Sequence, residues 1–145
     1  METMTIRLET QIEASPKQVY DFLVDPRKIP LVMPGLIENV NIPPLPLKEG
    51  SSFIFRYLMY GVMLEGQWTV TKLEDARRYE ARTTGVTSSW KYELAPRGRG
   101  THLSLAVELE PPQSVLQKAQ SAIIRKINES AGEAYFRNLK TVLEL

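Results

Sequence analysis

With 145 residues, 43% of them hydrophobic and 24% charged, the chain suits one domain that buries roughly two thirds of its unfolded surface. Eighteen basic residues against 17 acidic leave a net charge of +1, too little field to gather nucleic acid, so no nucleic-acid partner is expected. The absence of cysteine removes disulfides, thiolate catalysis and zinc–thiolate or iron–sulfur ligation together.

The opening residues lack the basic and apolar runs of a signal peptide, and a reducing cytoplasm suits a chain without cysteine. No stretch approaches 18 consecutive apolar residues, so no stable membrane insertion is expected. Nothing repeats or divides the chain, and residues 1–145 read as a single domain.

Met4, Ile6, Leu8, Thr10 and Ile12 alternate with Thr5, Arg7, Glu9, Gln11 and Glu13. That period of two predicts a half-buried strand. Ser15-Pro16-Lys17-Gln18 then reads as a helix start, with Ser15 as cap, Pro16 at the first helical position and Gln18 closing a capping box. Val19, Tyr20, Phe22 and Leu23 supply its apolar face. Asp25-Pro26 ends it and opens a second short helix to about Met33, stopped by Pro34-Gly35.

From Leu36 to about Leu109, turn signals at Pro43-Pro44, Lys48-Glu49-Gly50, Gly61, Glu74 to Arg77, Gly85 and Arg97 to Gly100 predict six short strands in an antiparallel meander. Each has one wet and one dry face. Residues 53–60 are apolar at nearly every position, so their phase is ambiguous. Phe53, Phe55, Tyr57 and Met59 are taken as inward, and the apolar outer face allows for a homodimer. Reversing that phase would turn Arg56 inward, and the same reversal two strands on would present Glu80 and Arg82.

After Pro111-Pro112, Ser114 to Gln117 matches a second capping box, and the pattern to Leu145 is helical. Leu116, Ala119, Ile123, Ile127, Ala131, Tyr135, Leu139 and Val142 make one apolar stripe. Lys118, Arg125, Glu129, Glu133, Arg137 and Lys140 oppose it. Some 30 residues predict a rod of roughly 45 Å. Gly132, inside that rod, costs about 1 kcal/mol against Ala and marks a kink, a close approach or nothing.

Strand, two short helices, six strands and a long helix make an α+β protein in which a curved seven-stranded antiparallel sheet has one face covered by the helix. The inward set is Phe53, Phe55, Tyr57, Met59, Leu64, Trp68, Tyr79, Ala81, Thr83, Trp90, Tyr92, Leu103 and Leu105, facing Ile127, Ala131 and Tyr135 of the helix. No charge stands among them, and their polar atoms are hydroxyls and indole N–H groups. Such a wall suits a site for a hydrophobic small molecule, although inward aromatics also make an ordinary packed core. The single histidine, His102, falls on the wet phase of its strand, so no triad has a base. The carboxylates are scattered, and no metal, cofactor or catalytic residue is assigned.

The order of elements, with Ile12 to Pro26, Trp90-Lys-Tyr-Glu-Leu94, Gly100-Thr101 and the terminal helix, resembles the START-related SRPBCC superfamily, whose members include polyketide cyclase/dehydrase-like and lipid-transport proteins. The resemblance covers the whole chain and implies a helix-grip fold with a cavity between sheet and helix. It therefore implies binding or transport of a lipid, polyketide or similar molecule. Two other readings stay open: a polyketide cyclase or aromatase using Tyr57, Trp90 and Tyr92 as donors, and an accessory or assembly protein. The second rests on Asp25-Pro26 followed by Pro34-Gly35, which is similar to the G-subunit-like proteins of carbon monoxide dehydrogenase. The aromatic–cysteine pair expected of coenzyme Q-binding relatives is missing. A void of ~300 Å³ left empty would cost about 7 kcal/mol, comparable to a domain's whole stability.

Overall fold

A computed structural model of the chain describes residues 3–145. Seven strands form one antiparallel sheet: β1 (Met4–Ile12), β2 (Leu36–Val40), β3 (Ser52–Met59), β4 (Val62–Glu74), β5 (Arg78–Thr84), β6 (Ser88–Arg97) and β7 (Gly100–Leu109). Their spatial order is β1-β7-β6-β5-β4-β3-β2, a meander from β2 to β7 with the first strand laid against the last. The helix-grip architecture is as expected: the sheet curves around a C-terminal helix and two short helical segments follow the first strand.

Helix α1 (Pro16–Leu23) starts as its sequence dictates. The Gln18 N–H donates to Ser15 Oγ at 3.2 Å, and the Ser15 N–H donates to Gln18 Oε1 at 3.0 Å. The second short helix shrinks to a single 3₁₀ turn, Ile29–Leu31. Its neighbour Arg27 folds back onto the Asp25 carboxylate at 2.7 Å.

The terminal rod is shorter than its periodicity suggests. Residues Gln113–Leu116 form one turn, α2, and the chain re-enters a helix, α3, only at Ser121–Leu143. These 23 residues span about 35 Å. Ser114 caps nothing: Pro112 holds the cap position of α2 without a side-chain bond. Within α3 the apolar stripe also drifts, because repeated steps of four outrun the 3.6-residue turn. Ile124 is buried whereas Ile123 is 46% exposed, and Val142 at the far end is exposed as well. The working face is Ile124, Asn128, Ala131, Tyr135 and Leu139, at spacings of three and four.

Gly132 lies where α3 crosses β1. A Cβ on it would sit 2.7 Å from Leu8 Cδ1, so the residue marks a close approach of helix to strand. The helix also covers the sheet's free edge at β1, where its side chains take up backbone groups. Arg125 donates to the Thr5 carbonyl at 3.0 Å, and Lys140 to the Gln11 carbonyl at 2.8 Å. Just past the strand, the Glu13 N–H donates to Glu144 Oε2 at 2.9 Å. An exposed strand edge is a template for unwanted pairing, and covering it removes the hazard.

Candidate functional site

The phase of β3 is settled by its one charge. Arg56 points outward and bridges Glu38 of β2 at 2.6 Å and Glu65 of β4 at 2.8 Å. Phe53, Phe55 and Met59 are correspondingly buried on the concave side, with Tyr57 beside them. Glu80 and Arg82, on β5, share the outward phase, while Tyr79, Ala81 and Thr83 are buried. The alternation that a half-buried strand demands thus keeps every carboxylate and every cationic side chain of these strands off the inner face.

Cross-strand register builds an aromatic wall there. Phe53 pairs with Trp68, Ala81 with Trp90, and Tyr79 with Tyr92. The rings meet in sequence: Phe53 on Trp68 at 6.1 Å, Trp68 on Trp90 at 5.3 Å, and Tyr79 parallel to Tyr92 at 5.6 Å and 10°. Each such pair adds about 0.5–1.5 kcal/mol beyond its buried area. Opposite stand Asn128, Ala131, Gly132 and Tyr135 of α3. One end is roofed by the α1–β2 segment, where Pro26, Ile29, Met33 and Leu36 reach inward. There Gly35, at φ +90°, lies so close to the Tyr57 ring that a Cβ would stand 2.8 Å from Cζ.

Sheet and helix do not meet everywhere. A cavity of about 130 Å³ remains between them, smaller than the ~300 Å³ anticipated from the fold. Left empty it costs about 3 kcal/mol rather than about 7. None of the described residues lining it is charged.

Of the residues nominated from sequence, Phe53, Phe55, Tyr57, Met59, Trp68, Tyr79, Thr83, Trp90, Tyr92, Leu105, Ala131 and Tyr135 line this space. Leu64, Ala81, Leu103 and Ile127 do not. Leu64, Ala81 and Leu103 are buried in the packed parts of the sheet face, and Ile127 is half-buried beside the working stripe of α3. Sequence reasoning passed over Ile6 and Leu8 on β1, Val107 and Leu109 on β7, Ser88 on β6, Asn39 and Asn128, and the roof residues. The strand members were findable, since Ser88 stands two residues before Trp90 on the same face. The asparagines carried no apolar signal.

The polar atoms are largely spent on one another. Trp68 Nε1 donates to Tyr79 Oη at 2.9 Å, and Trp90 Nε1 to Ser88 Oγ at 3.0 Å. Thr83 Oγ1 donates to the Val86 carbonyl and takes its remaining contact from Ser88 Oγ. That relay uses every proton in it. Tyr92 and Tyr135 join their hydroxyls at 2.7 Å. Burial raises the pKa of Tyr79, Tyr92 and Tyr135, and also that of Tyr57. All four stay neutral and protonated through the physiological range, as hydrogen-bond donors rather than bases.

His102 lies off this site, across from Gln11 and Ala95 on the outer phase, 4.0 Å from Glu9. Among the described residues no cluster of three or more His, Cys, Asp or Glu side chains is arranged to hold a metal ion. No helix among them is long and apolar enough to cross a membrane.

Comparison with known proteins gives this cavity a context. A family model described as polyketide cyclase / dehydrase and lipid transport matches residues 3–144. No curated protein sequence matches the chain. Among solved structures, a START superfamily protein from Mycobacterium smegmatis is 12% identical with a TM-score of 0.78, over 97% of both chains. TTHA0849 from Thermus thermophilus is 15% identical with a TM-score of 0.76, over 95% of both. BexL, the di-domain ARO/CYC protein of the BE-7585A biosynthetic pathway, is 14% identical with a TM-score of 0.75, over 99% of this chain and 50% of that one. Identities this low establish a shared fold and nothing about cargo.

Proposed function

Because this chain belongs to the polyketide cyclase/dehydrase and lipid-transport family, we propose that it is a binding or carrier protein, a single domain holding one uncharged hydrophobic molecule between the sheet and α3. The observation that carries this reading is the uncharged aromatic wall facing a gap. An apolar concavity with a few fixed polar groups is how small-molecule sites are built. A gap that costs about 3 kcal/mol when empty favours whatever fills it. The residues proposed to touch the ligand are Phe53, Phe55, Tyr57, Trp68, Trp90 and Tyr92 on the sheet, with Ala131 and Tyr135 on the helix. The location proposed for this carrier is the cytoplasm.

Native mass spectrometry of freshly purified protein tests the proposal. A bound mass that is released on denaturation is expected. If none is found, and no member of a lipid and polyketide panel shifts the melting temperature, the carrier reading is wrong.

One observation favours a second reading, cyclisation of a flexible polyketide chain. The Tyr57 hydroxyl lines the cavity and makes no hydrogen bond among the described residues, so it is free to polarise a substrate carbonyl. Trp90, by contrast, has its N–H committed to Ser88. Turnover that falls in Tyr57→Phe while binding persists would favour catalysis over carriage. Unchanged turnover would remove Tyr57 from it.

A further inference from the structure

The protons of the buried phenols do not balance their acceptors. Tyr92 and Tyr135 carry two hydroxyl protons between them, and their single 2.7 Å contact uses one. The Tyr79 hydroxyl accepts from Trp68 Nε1 but donates to no acceptor among the described residues. All three phenols are 2–3% exposed and line the cavity, so bulk water does not reach them freely. A phenol is both donor and acceptor, and a buried donor left without an acceptor costs about 1–3 kcal/mol. Two protons are thus unspent, one on Tyr79 and one on whichever of Tyr92 and Tyr135 accepts in their contact; the Tyr79 and Tyr92 rings stack 5.6 Å apart.

Tyr57 carries a third free hydroxyl, on the ring packed against Gly35 at the roof, and the other polar groups are otherwise placed. The Trp90, Ser88, Thr83 and Val86 relay is saturated. The amide oxygens of Asn39 and Asn128 make no hydrogen bond among the described residues, but both residues are only part-buried and water can satisfy them. The deep end of the cavity is therefore rich in donors and poor in partners.

Resting on the proposed binding role of this cavity, we infer that its ligand is an uncharged molecule of about one ring, carrying a carbonyl oxygen that accepts the free protons of Tyr79 and the Tyr92–Tyr135 pair. Size follows from the volume: a dry cavity of about 150 Å³ holds a benzene, and this one measures about 130 Å³. Charge is excluded by the lining, which offers a carboxylate or ammonium no counter-ion and would leave it desolvated. Carbonyl chemistry follows from the surplus, since a hydroxyl ligand would bring one more proton to a site already in excess.

Isothermal titration of the purified chain with acetophenone, ethylbenzene, benzoate and myristate tests this. Acetophenone is expected to bind about 5- to 150-fold tighter than ethylbenzene, the ratio given by two neutral hydrogen bonds of about 0.5–1.5 kcal/mol each. Benzoate and myristate are expected not to bind. Tyr92→Phe or Tyr135→Phe alone leaves one free proton in the pair and should retain the ketone preference. The double variant, which removes the pair's proton and leaves Tyr79 as the donor of these three, should lose at least about twofold of it. Equal or tighter binding of ethylbenzene would overturn the carbonyl assignment while leaving the cavity's binding role intact. Preference for myristate would overturn the size and charge assignment. Failure of all four probes, together with an empty native mass spectrum, would overturn both the inference and the binding role.

Discussion

Filling the gap from the helix side should stabilise the protein and destroy its binding capacity together. Ala131 lines the cavity from α3, and Ala131→Leu adds three carbon atoms directed at it. At about 0.8 kcal/mol per buried methylene, the transfer gain is about 2.4 kcal/mol, just under the cost of about 3 kcal/mol assigned to the empty space. Fixing the leucine rotamer returns about 0.5–1 kcal/mol, and the two residues differ little in helix propensity. The net gain is about 1.5–2 kcal/mol, or about 3–8 °C in melting temperature for a chain of this size. Urea denaturation gives the free energy, and the same sample titrated with an apolar ligand gives occupancy. The variant should be more stable without ligand and gain nothing from adding it, whereas the parent gains with ligand concentration by mass action. A destabilisation of about 1–3 kcal/mol, the signature of overpacking, would refute the reasoning by showing that sheet and helix already interlock at Ala131.

Gly66→Ala should be far more damaging, because its Cβ would lie 2.1 Å from the Thr84 carbonyl oxygen and 2.7 Å from the Phe55 ring. Backbone cannot yield as a side-chain tip does, so a loss at or above about 3 kcal/mol is expected in chemical denaturation, and a neutral result would contradict the β4–β5 packing. Asp25 is held below the usual carboxylate range, chiefly by its hydrogen bond from the Arg27 side chain. Its contribution is present above the unfolded-state pKa and is lost as pH falls through the lower folded value. Stability measured from pH 6 down to pH 2 should therefore decline less steeply in Asp25→Asn, and parallel curves would remove the pair from the acid limb.

The strands were legible because one face of each is wet. Alternation from Met4 to Ile12 and from Leu103 to Leu109 reports burial directly. In β3 that signal failed, since Ile54 and Leu58 are as apolar as Phe53 and Phe55, and only Arg56 broke the tie through partners on β2 and β4. The interruption between α2 and α3 was not legible. Residues 117–120 contain no glycine or proline, and the helix restarts at Gln120 without a side-chain cap. Tertiary packing overrode a continuous helical pattern there, and inside α3 the buried isoleucine is 124 rather than 123 because repeated steps of four drift off the 3.6-residue turn. Asn128 escaped notice because a polar residue on an apolar stripe reads as noise. The size of the gap was equally invisible, being the difference between two packed surfaces that no single residue records.

The side chains that shield the rim of β1 also constrain how cargo gets in. Arg125, Lys140 and Glu144 tie the helix to Thr5, Gln11 and Glu13, and Gly132 is seated hard on Leu8. Swinging α3 outward would tear all of these at once and bare a sticky ribbon to its neighbours. The opposite margin has fewer ties: the Pro26–Leu36 flap is anchored by buried Ile29 and Val32 and by three isolated hydrogen bonds, from Asn39 to Pro26, from Asn138 to Val32 and from Leu58 to Gly35. Entry past the flap therefore breaks fewer ties than entry past α3, and hydrogen exchange should find residues 26–36 opening more readily than residues 4–12.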